Sequence, residues 1–155
     1  MRVTFSLLSL LMCAIMLIYT VGSVFEYLYP MKYSQEIISY AEIYNVDSAL
    51  VASVINTESN FDEKAKSNKG AIGLMQIMPS TAEWVAGKIG LEYNEENLYN
   101  GNYNIEIGTF YLSYLNSYFN DEKLALCAYN AGIGNVKSWL ANEEYSTDGK
   151  SLAKI

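Results

Sequence analysis

The chain has 155 residues, 51% of them hydrophobic, with ten Lys plus Arg against seventeen Asp plus Glu and a formal charge of −7. That length allows one domain and a short appendage, and the acidic balance without a basic stripe excludes nucleic acid as a partner. There is no histidine, which excludes a His-based triad and removes the commonest nitrogen ligand of zinc, so neither a metal nor a cofactor is expected.

The first element is apolar. Val3 to Phe25 contains no charged side chain, and 23 residues of helix span about 34 Å against a hydrocarbon layer of roughly 30 Å. Arg2 precedes it and Glu26 follows, which favours an amino end kept in the cytoplasm. Residues 1–30 are therefore read as a signal anchor, a transmembrane helix that makes the membrane a partner and leaves the rest of the chain outside the cytoplasm. A cleaved signal peptide is the rival, with small residues at Thr20-Val21-Gly22 and a secreted product. A buried core helix would need apolar neighbours on every side. Cys13 follows the bulky Met12, which does not suit a lipoprotein site, and with Cys127 the only other cysteine no disulfide within the domain is possible.

From residue 31 the chain reads as helices joined by short loops, without a convincing strand. Tyr33 to Tyr44 puts Ile37, Tyr40, Ala41 and Tyr44 on one face, and Asn45 suits its end. Asp47 or Ser48 can cap the next helix, in which Val51, Val54, Ile55 and Glu58 form one stripe. Residues 60–73 form a loop. Ser80 with Glu83 makes a capping box for a helix bearing Trp84 and Val85, closed by Gly87 or Gly90. The polar run 93–102 is a second loop. Ile105, Gly108, Leu112, Leu115 and Phe119 line a longer helix; Gly108 costs it about 1 kcal/mol relative to Ala, so close packing is expected to demand the missing side chain. Helices over 121–129 and 134–140 follow, then a polar, frayed tail over 143–155.

Within this domain Glu58 ends an apolar stripe, where partial desolvation raises a carboxyl pKa and keeps the acid protonated near neutral pH. Gln76 is a polar hook in the otherwise apolar Gly73-Leu74-Met75-Gln76 block, and Tyr129-Asn130 sits at the glycine-bounded end of Ala128-Tyr129-Asn130-Ala131-Gly132. A carboxyl held against an apolar face, with amide and phenol groups to place a polar ligand, is what acid catalysis on a sugar linkage requires. Each residue also has a plainer reading: Glu58 as a solvated helix end, Ser59 as a polar helix terminus, Gln76 as a turn amide satisfied by backbone, Asn130 as an ordinary helix end, Met75 and most of the 14 Tyr as core or surface. No second carboxylate presents itself. Asp62 and Glu63 follow too closely on the helix exit, 67–76 contains no acid, and Glu106 lies beside Ile105 on a later helix.

The blocks Glu58-Ser59, Gly73-Leu74-Met75-Gln76 and Ala128-Tyr129-Asn130-Ala131-Gly132, in that order, resemble the soluble lytic transglycosylase family. Met78-Pro79-Ser80-Thr81-Ala82 and Asn104-Ile105-Glu106-Ile107-Gly108-Thr109 are similar to it as well, and the likeness runs from about Tyr33 to Leu140. The resemblance implies an all-α, lysozyme-like (goose-type) catalytic domain over 31–142, acting on peptidoglycan glycan strands as a monomer. It implies cleavage between N-acetylmuramic acid and N-acetylglucosamine by one carboxylate, Glu58, acting first as acid and then as base, to leave a 1,6-anhydro sugar. It places Gln76 in the cleft and Tyr129 facing Glu58; beside them Ser59, next to the acid, is read as a hydrogen-bond partner of the acid or of the acetamido group and Asn130 as a partner of the acetamido group, so that Ser59, Gln76, Tyr129 and Asn130 are the expected substrate-binding residues. Members usually continue past the Trp-Leu helix with a Pro and a Thr-Arg-x-Tyr stretch, so the tail is expected to be truncated relative to the family. The alternatives are a goose-type-like hydrolase, which adds water, and a non-catalytic peptidoglycan-binding module.

Overall fold

The structure, a computed structural model, describes residues 2–28 and 32–153. The chain divides into two units, residues 1–32 and 33–155.

The first unit holds α1 (Arg2–Leu28). Leu8, Leu10, Leu11, Met12, Met16, Leu17 and Ile18 are all more than half exposed along it, and Thr20 Oγ1 satisfies itself on the helix by donating to Met16 O (2.9 Å). Among the described residues no helix is long and apolar enough to cross a membrane. The expectation of a transmembrane helix therefore rests on the sequence and gains no support from the structure.

The second unit is all-helical: α2 (Ser34–Ile43), α3 (Ser48–Ser59), α4 (Pro79–Ile89), a 3-10 helix (Glu95–Tyr99), α5 (Gly101–Phe119), α6 (Glu122–Ala131) and α7 (Ile133–Leu140). Extended pairing among the described residues is confined to isolated bridges joining Ile72 to Lys66 and to Ile77. The central helix is α5, against which α2, α4, the 3-10 helix and α6 pack. Ile37, Val51, Ile55, Leu74, Met75, Val85, Ile105 and Leu112 fill the main core. Leu115, Leu124, Ala125, Ala128 and Val136 form a second cluster where α5, α6 and α7 meet. Gly108 does what its position on α5 predicts: a Cβ there would run into the Met75 side chain, including its Cβ at 2.9 Å.

The Asp47 cap expected for α3 forms, and Asn100 and Asp121 cap α5 and α6 as well. Asp47 accepts from Ala49 N (2.7 Å), Asn100 from Tyr103 N (3.1 Å) and Asp121 from Leu124 N (3.0 Å). Three local expectations change. The Ser80–Glu83 box does not form, because α4 starts at Pro79 after an extended Met78 and makes no side-chain cap; the fixed φ of proline already sets the first turn. Within 93–102 a 3-10 turn replaces continuous loop, since the apolar Leu98 is fully buried. From 141 to 153 the chain is folded rather than frayed. Ser146 is buried, Ala153 N donates to Tyr145 O (2.8 Å), and Asp148 accepts from the amides of Lys150 and Ser151 (both 2.8 Å). Leu152 packs on the second cluster. Cys13 and Cys127 are free thiols.

Candidate active site

Burying Val51, Val54 and Ile55 on α3 carries Glu58, one position before the helix end, to the edge of the core, where it is half-buried. Loss of solvent raises its pKa above the ordinary 4.5. The helix then stops abruptly: Asn60 (φ 51) and Phe61 (φ 62) both adopt left-handed backbone. Ser59 does not turn toward the acid. Its Oγ donates to Leu74 O (2.7 Å), with Ile55 O at 3.2 Å, so it ties the end of α3 to the Gly73–Gln76 turn.

That turn is heavily braced. Gly73 has φ 80, and any Cβ would collide with the Asn104 side chain and Leu98 O. The fully buried Asn104 of α5 donates through Nδ2 to Ile72 O (3.0 Å) and Leu98 O (2.8 Å) and accepts from Met75 N at Oδ1 (2.8 Å). Gln76 itself is left-handed (φ 48), a conformation costing a non-glycine residue about 1–2 kcal/mol. Its Nε2 donates to Gly73 O (3.0 Å) and Ala65 O (3.2 Å), the backbone-satisfied arrangement, while the side chain still lines a cavity.

From α6, Tyr129 closes the site. Its hydroxyl donates to Met75 O (2.8 Å), and burial first, then the nearby Glu58 carboxylate and Tyr111, push its pKa well above 10, so it remains a donor. Tyr129 and Asn130 sit between two cavities. One, of about 280 Å³, is lined by Leu50, Val54, Thr57, Glu58 and Leu126 as well. The other, about 340 Å³, is lined by Lys69, Gln76, Ile77, Thr81 and Tyr111 among others. A third, about 320 Å³, shares Thr81 and Tyr111 with the second and adds Ser80, Trp84, Tyr114 and Ile133. Together they outline a groove along which Glu58 is the sole acid and Lys69 the sole cation among the lining residues. Glu106 is elsewhere: it accepts from Tyr44 Oη (3.2 Å) between α2 and α5, and Glu63 accepts from Tyr33 Oη.

The groove thus gathers Glu58, Gln76, Tyr129 and Asn130 and leaves Ser59 bracing the backbone beneath them. Sequence reasoning missed Lys69, Thr81 and the aromatic wall of Trp84, Tyr111 and Tyr114. The i, i+3 spacing of Tyr111 and Tyr114 was the available signal. Among the described residues no group of three or more His, Cys, Asp or Glu could hold a metal ion.

A helical domain whose groove presents one half-buried acid at the end of a helix, faced by a tyrosine from another, is of the lysozyme-like class. The chain belongs to the Transglycosylase SLT domain family, whose model matches residues 35–151. It is 34% identical over 129 residues to a soluble lytic murein transglycosylase of Salmonella typhimurium, a match covering 81% of this chain and 20% of that protein. It is 35% identical over 124 residues to a membrane-bound lytic murein transglycosylase C of Photorhabdus laumondii, covering 72% and 33%. Among solved structures, an inactive mutant of lytic transglycosylase Slt from Pseudomonas aeruginosa superposes with a TM-score of 0.69 at 34% identity, covering 76% of this chain and 20% of that one. The chain spans between a fifth and a third of the length of these relatives.

Proposed function

We propose that this chain is a peptidoglycan lytic transglycosylase that cleaves the β-1,4 bond between N-acetylmuramic acid and N-acetylglucosamine without water. The observation that carries the reading is a groove with a single carboxyl group, Glu58, desolvated and next to the donor Tyr129. The family membership and the activity named for its relatives support it. Hydrolases that use two carboxylates need the second within roughly 5 to 9.5 Å, and no other acid lines the groove.

In the proposed sequence, neutral Glu58 gives its proton to the glycosidic oxygen as the C1–O bond breaks. The substrate's own acetamido group stabilises the cationic carbon. Glu58, now a carboxylate, takes the proton of the muramoyl C6 hydroxyl as that oxygen bonds to C1. The 1,6-anhydro ring closes and Glu58 returns to its starting state. The nucleophile is intramolecular, so its effective concentration is high and no water need be positioned. Raising the Glu58 pKa suits the acid step, and return to the base role follows from the same group. Gln76, Tyr129 and Asn130 contact the sugar. Ser59 acts by holding the turn that carries Gln76, and Lys69 offers a local cation for a carboxylate of the stem peptide in a chain whose overall charge repels it.

Membrane attachment through α1, with the catalytic unit outside the cytoplasm and acting as a monomer, is part of the same proposal. Its support is the uncharged run Val3–Phe25 in the sequence and the membrane-bound relative.

The test is mass spectrometry of soluble products after the full chain, in mild detergent, meets purified peptidoglycan, beside Glu58→Gln. Anhydro-ended muropeptides from the unmodified chain alone are expected. Reducing ends, one water heavier, would mean a hydrolase, and no product from either protein would leave a binding module.

A further inference from the structure

We infer that Lys69, held at the tip of a short braced turn, reads a carboxylate on the peptide stem of the muramoyl ring, so that the groove selects glycan strands whose stems keep that charge. The inference deepens the glycan-cleaving reading and rests on it for the identity of the strand.

Charge is distributed unevenly along the chain. The unit from residue 33 onward is acidic, yet Lys64, Lys66 and Lys69 fall within six residues of one loop. Among the described residues, Lys69 is the one of the three that lines the groove, where it shares a cavity wall with Gln76, Tyr129 and Asn130. The local backbone explains its placement. Lys66 bridges to Ile72, Ser67 N donates to Ala71 O (2.9 Å), and Ala71 N donates to Ser67 Oγ (3.0 Å). Gly70 N closes the turn on Ser67 O (3.0 Å), and Gly70 has φ 89, a left-handed value that a side chain would strain. Asn68 and Lys69 stand exposed at the tip. The turn is also tied to the site. Ala65 O accepts from Gly73 N (2.9 Å) and from Gln76 Nε2 (3.2 Å), so Lys69 and Gln76 are mounted on one frame.

The chemistry narrows the ligand to one kind of anion. Among the described residues no acid lines this cavity, so its own wall does not neutralise the ammonium group. The rings of the strand are themselves uncharged, and the lactyl carboxyl of the muramoyl ring is consumed as the amide that attaches the stem. The nearest anion is therefore a carboxylate of the stem. Two extended residues span at most about 7 Å, a gap that the four-carbon arm of a lysine bridges from the rim. Lysine is a compact charge on a flexible arm, which suits a mobile peptide anion better than a fixed planar one. The chain's net charge of −7 repels an anionic polymer at long range, so this one placed cation separates a charged stem from a neutral one.

The test measures binding and needs no turnover. Uncross-linked glycan strands of one length are prepared in three forms: with a free carboxylate at the second stem residue, with that carboxylate amidated, and with the stems removed. The full chain carrying Glu58→Gln, in mild detergent, is titrated calorimetrically with each. The free-carboxylate strand is expected to bind about twofold to fivefold more tightly than the amidated one, within the range of an exposed ion pair. The ratio should fall toward one as salt rises from about 0.01 M to 1 M. Adding Lys69→Met is expected to remove the discrimination without moving the melting temperature, and Lys69→Arg to keep it. Lys66→Met, in the same loop but outside the groove lining, should leave it intact. Discrimination that survives Lys69→Met overturns the inference, as do equal affinities for the charged and amidated strands, an equal loss in Lys66→Met, or no strand bound. Stripped strands that bind as tightly as the free-carboxylate form overturn it too. Cleavage by the unsubstituted chain is scored separately. Discrimination without cleavage leaves the Lys69 site standing and sinks the catalytic reading, whereas cleavage without discrimination sinks the Lys69 site alone.

Discussion

Asn104→Ala is the substitution with the best-defined consequence. Asn104 is fully buried and makes three hydrogen bonds, from Met75 N and to Ile72 O and Leu98 O. Ile72 O keeps Ile77 N as a donor at 3.0 Å, so the loss falls on the Met75 amide and the Leu98 carbonyl. Each buried group left unpaired costs about 1–3 kcal/mol, and with the small void this gives about 3–5 kcal/mol, out of a total of about 5–15 kcal/mol for a domain. For a unit of this size that corresponds to a melting temperature lower by about 10–20 °C. Thermal melts of the full chain in detergent, followed by near-ultraviolet circular dichroism, would measure it. Asn104→Asp separates hydrogen bonding from shape. At neutral pH its carboxylate faces two carbonyls and costs at least as much, whereas acidification that protonates it returns a donor and part of the stability. Cleavage should fall in both variants well below their melting temperatures, because the turn carrying Gln76 and the acceptor of Tyr129 is no longer fixed. A loss below about 1 kcal/mol for Asn104→Ala would refute the view that this side chain holds the turn.

Gly108→Ala sets a helix-propensity gain of about 1 kcal/mol against overpacking on Met75 of about 1–3 kcal/mol. A net lower melting temperature is expected, and Met75→Ala in the same chain should cancel the penalty in a double-mutant cycle. Tyr129→Phe leaves Met75 O without its donor and should cost about 1–2 kcal/mol; kcat is expected to drop more than KM rises in assays on peptidoglycan. Glu58 has a folded pKa raised by burial, so its stabilising contribution is complete below the ordinary value near 4.5 and is lost as pH rises through the raised one. Glu58→Gln should flatten that decline and melt higher at pH 7, while cleavage falls by about 10²–10⁴-fold; a variant that melts lower at pH 7 would contradict the burial argument.

Much of the fold follows from periodicity. The stripe Val51, Val54, Ile55, Glu58 defines both α3 and its acid, and the stripe through Ile105, Leu112 and Leu115 defines α5 with the gap that Met75 fills. Both are local patterns whose period sequence displays directly. What sequence hid were choices between partners distant along the chain. Whether the Ser59 hydroxyl meets the acid or Leu74 O depends on how 60–73 loops back. Whether Gln76 faces sugar or backbone depends on a left-handed φ that no propensity demands of glutamine. The aromatic wall exists only because α4 crosses α5 near Tyr111 and Tyr114, and the i, i+3 spacing of those tyrosines shows a shared face without showing what that face meets. The Ser80–Glu83 box failed for a simpler reason: Pro79 had already set the first turn.

Met75 binds the parts together in a way that bears on how the protein is made. Its amide is held by Asn104 29 residues away, its carbonyl by Tyr129 54 residues away, and its side chain fills the gap at Gly108. The first and third of these contacts need α5 docked and the second needs α6 as well, so the full set forms only when both helices are in place. Opening of α6 alone removes Tyr129 and Asn130 from the groove and from Glu58. The cleavage proposed for this groove therefore requires α5 and α6 to be docked together, so a chain in which α6 has opened is expected to be inactive even while the rest of the domain stays folded.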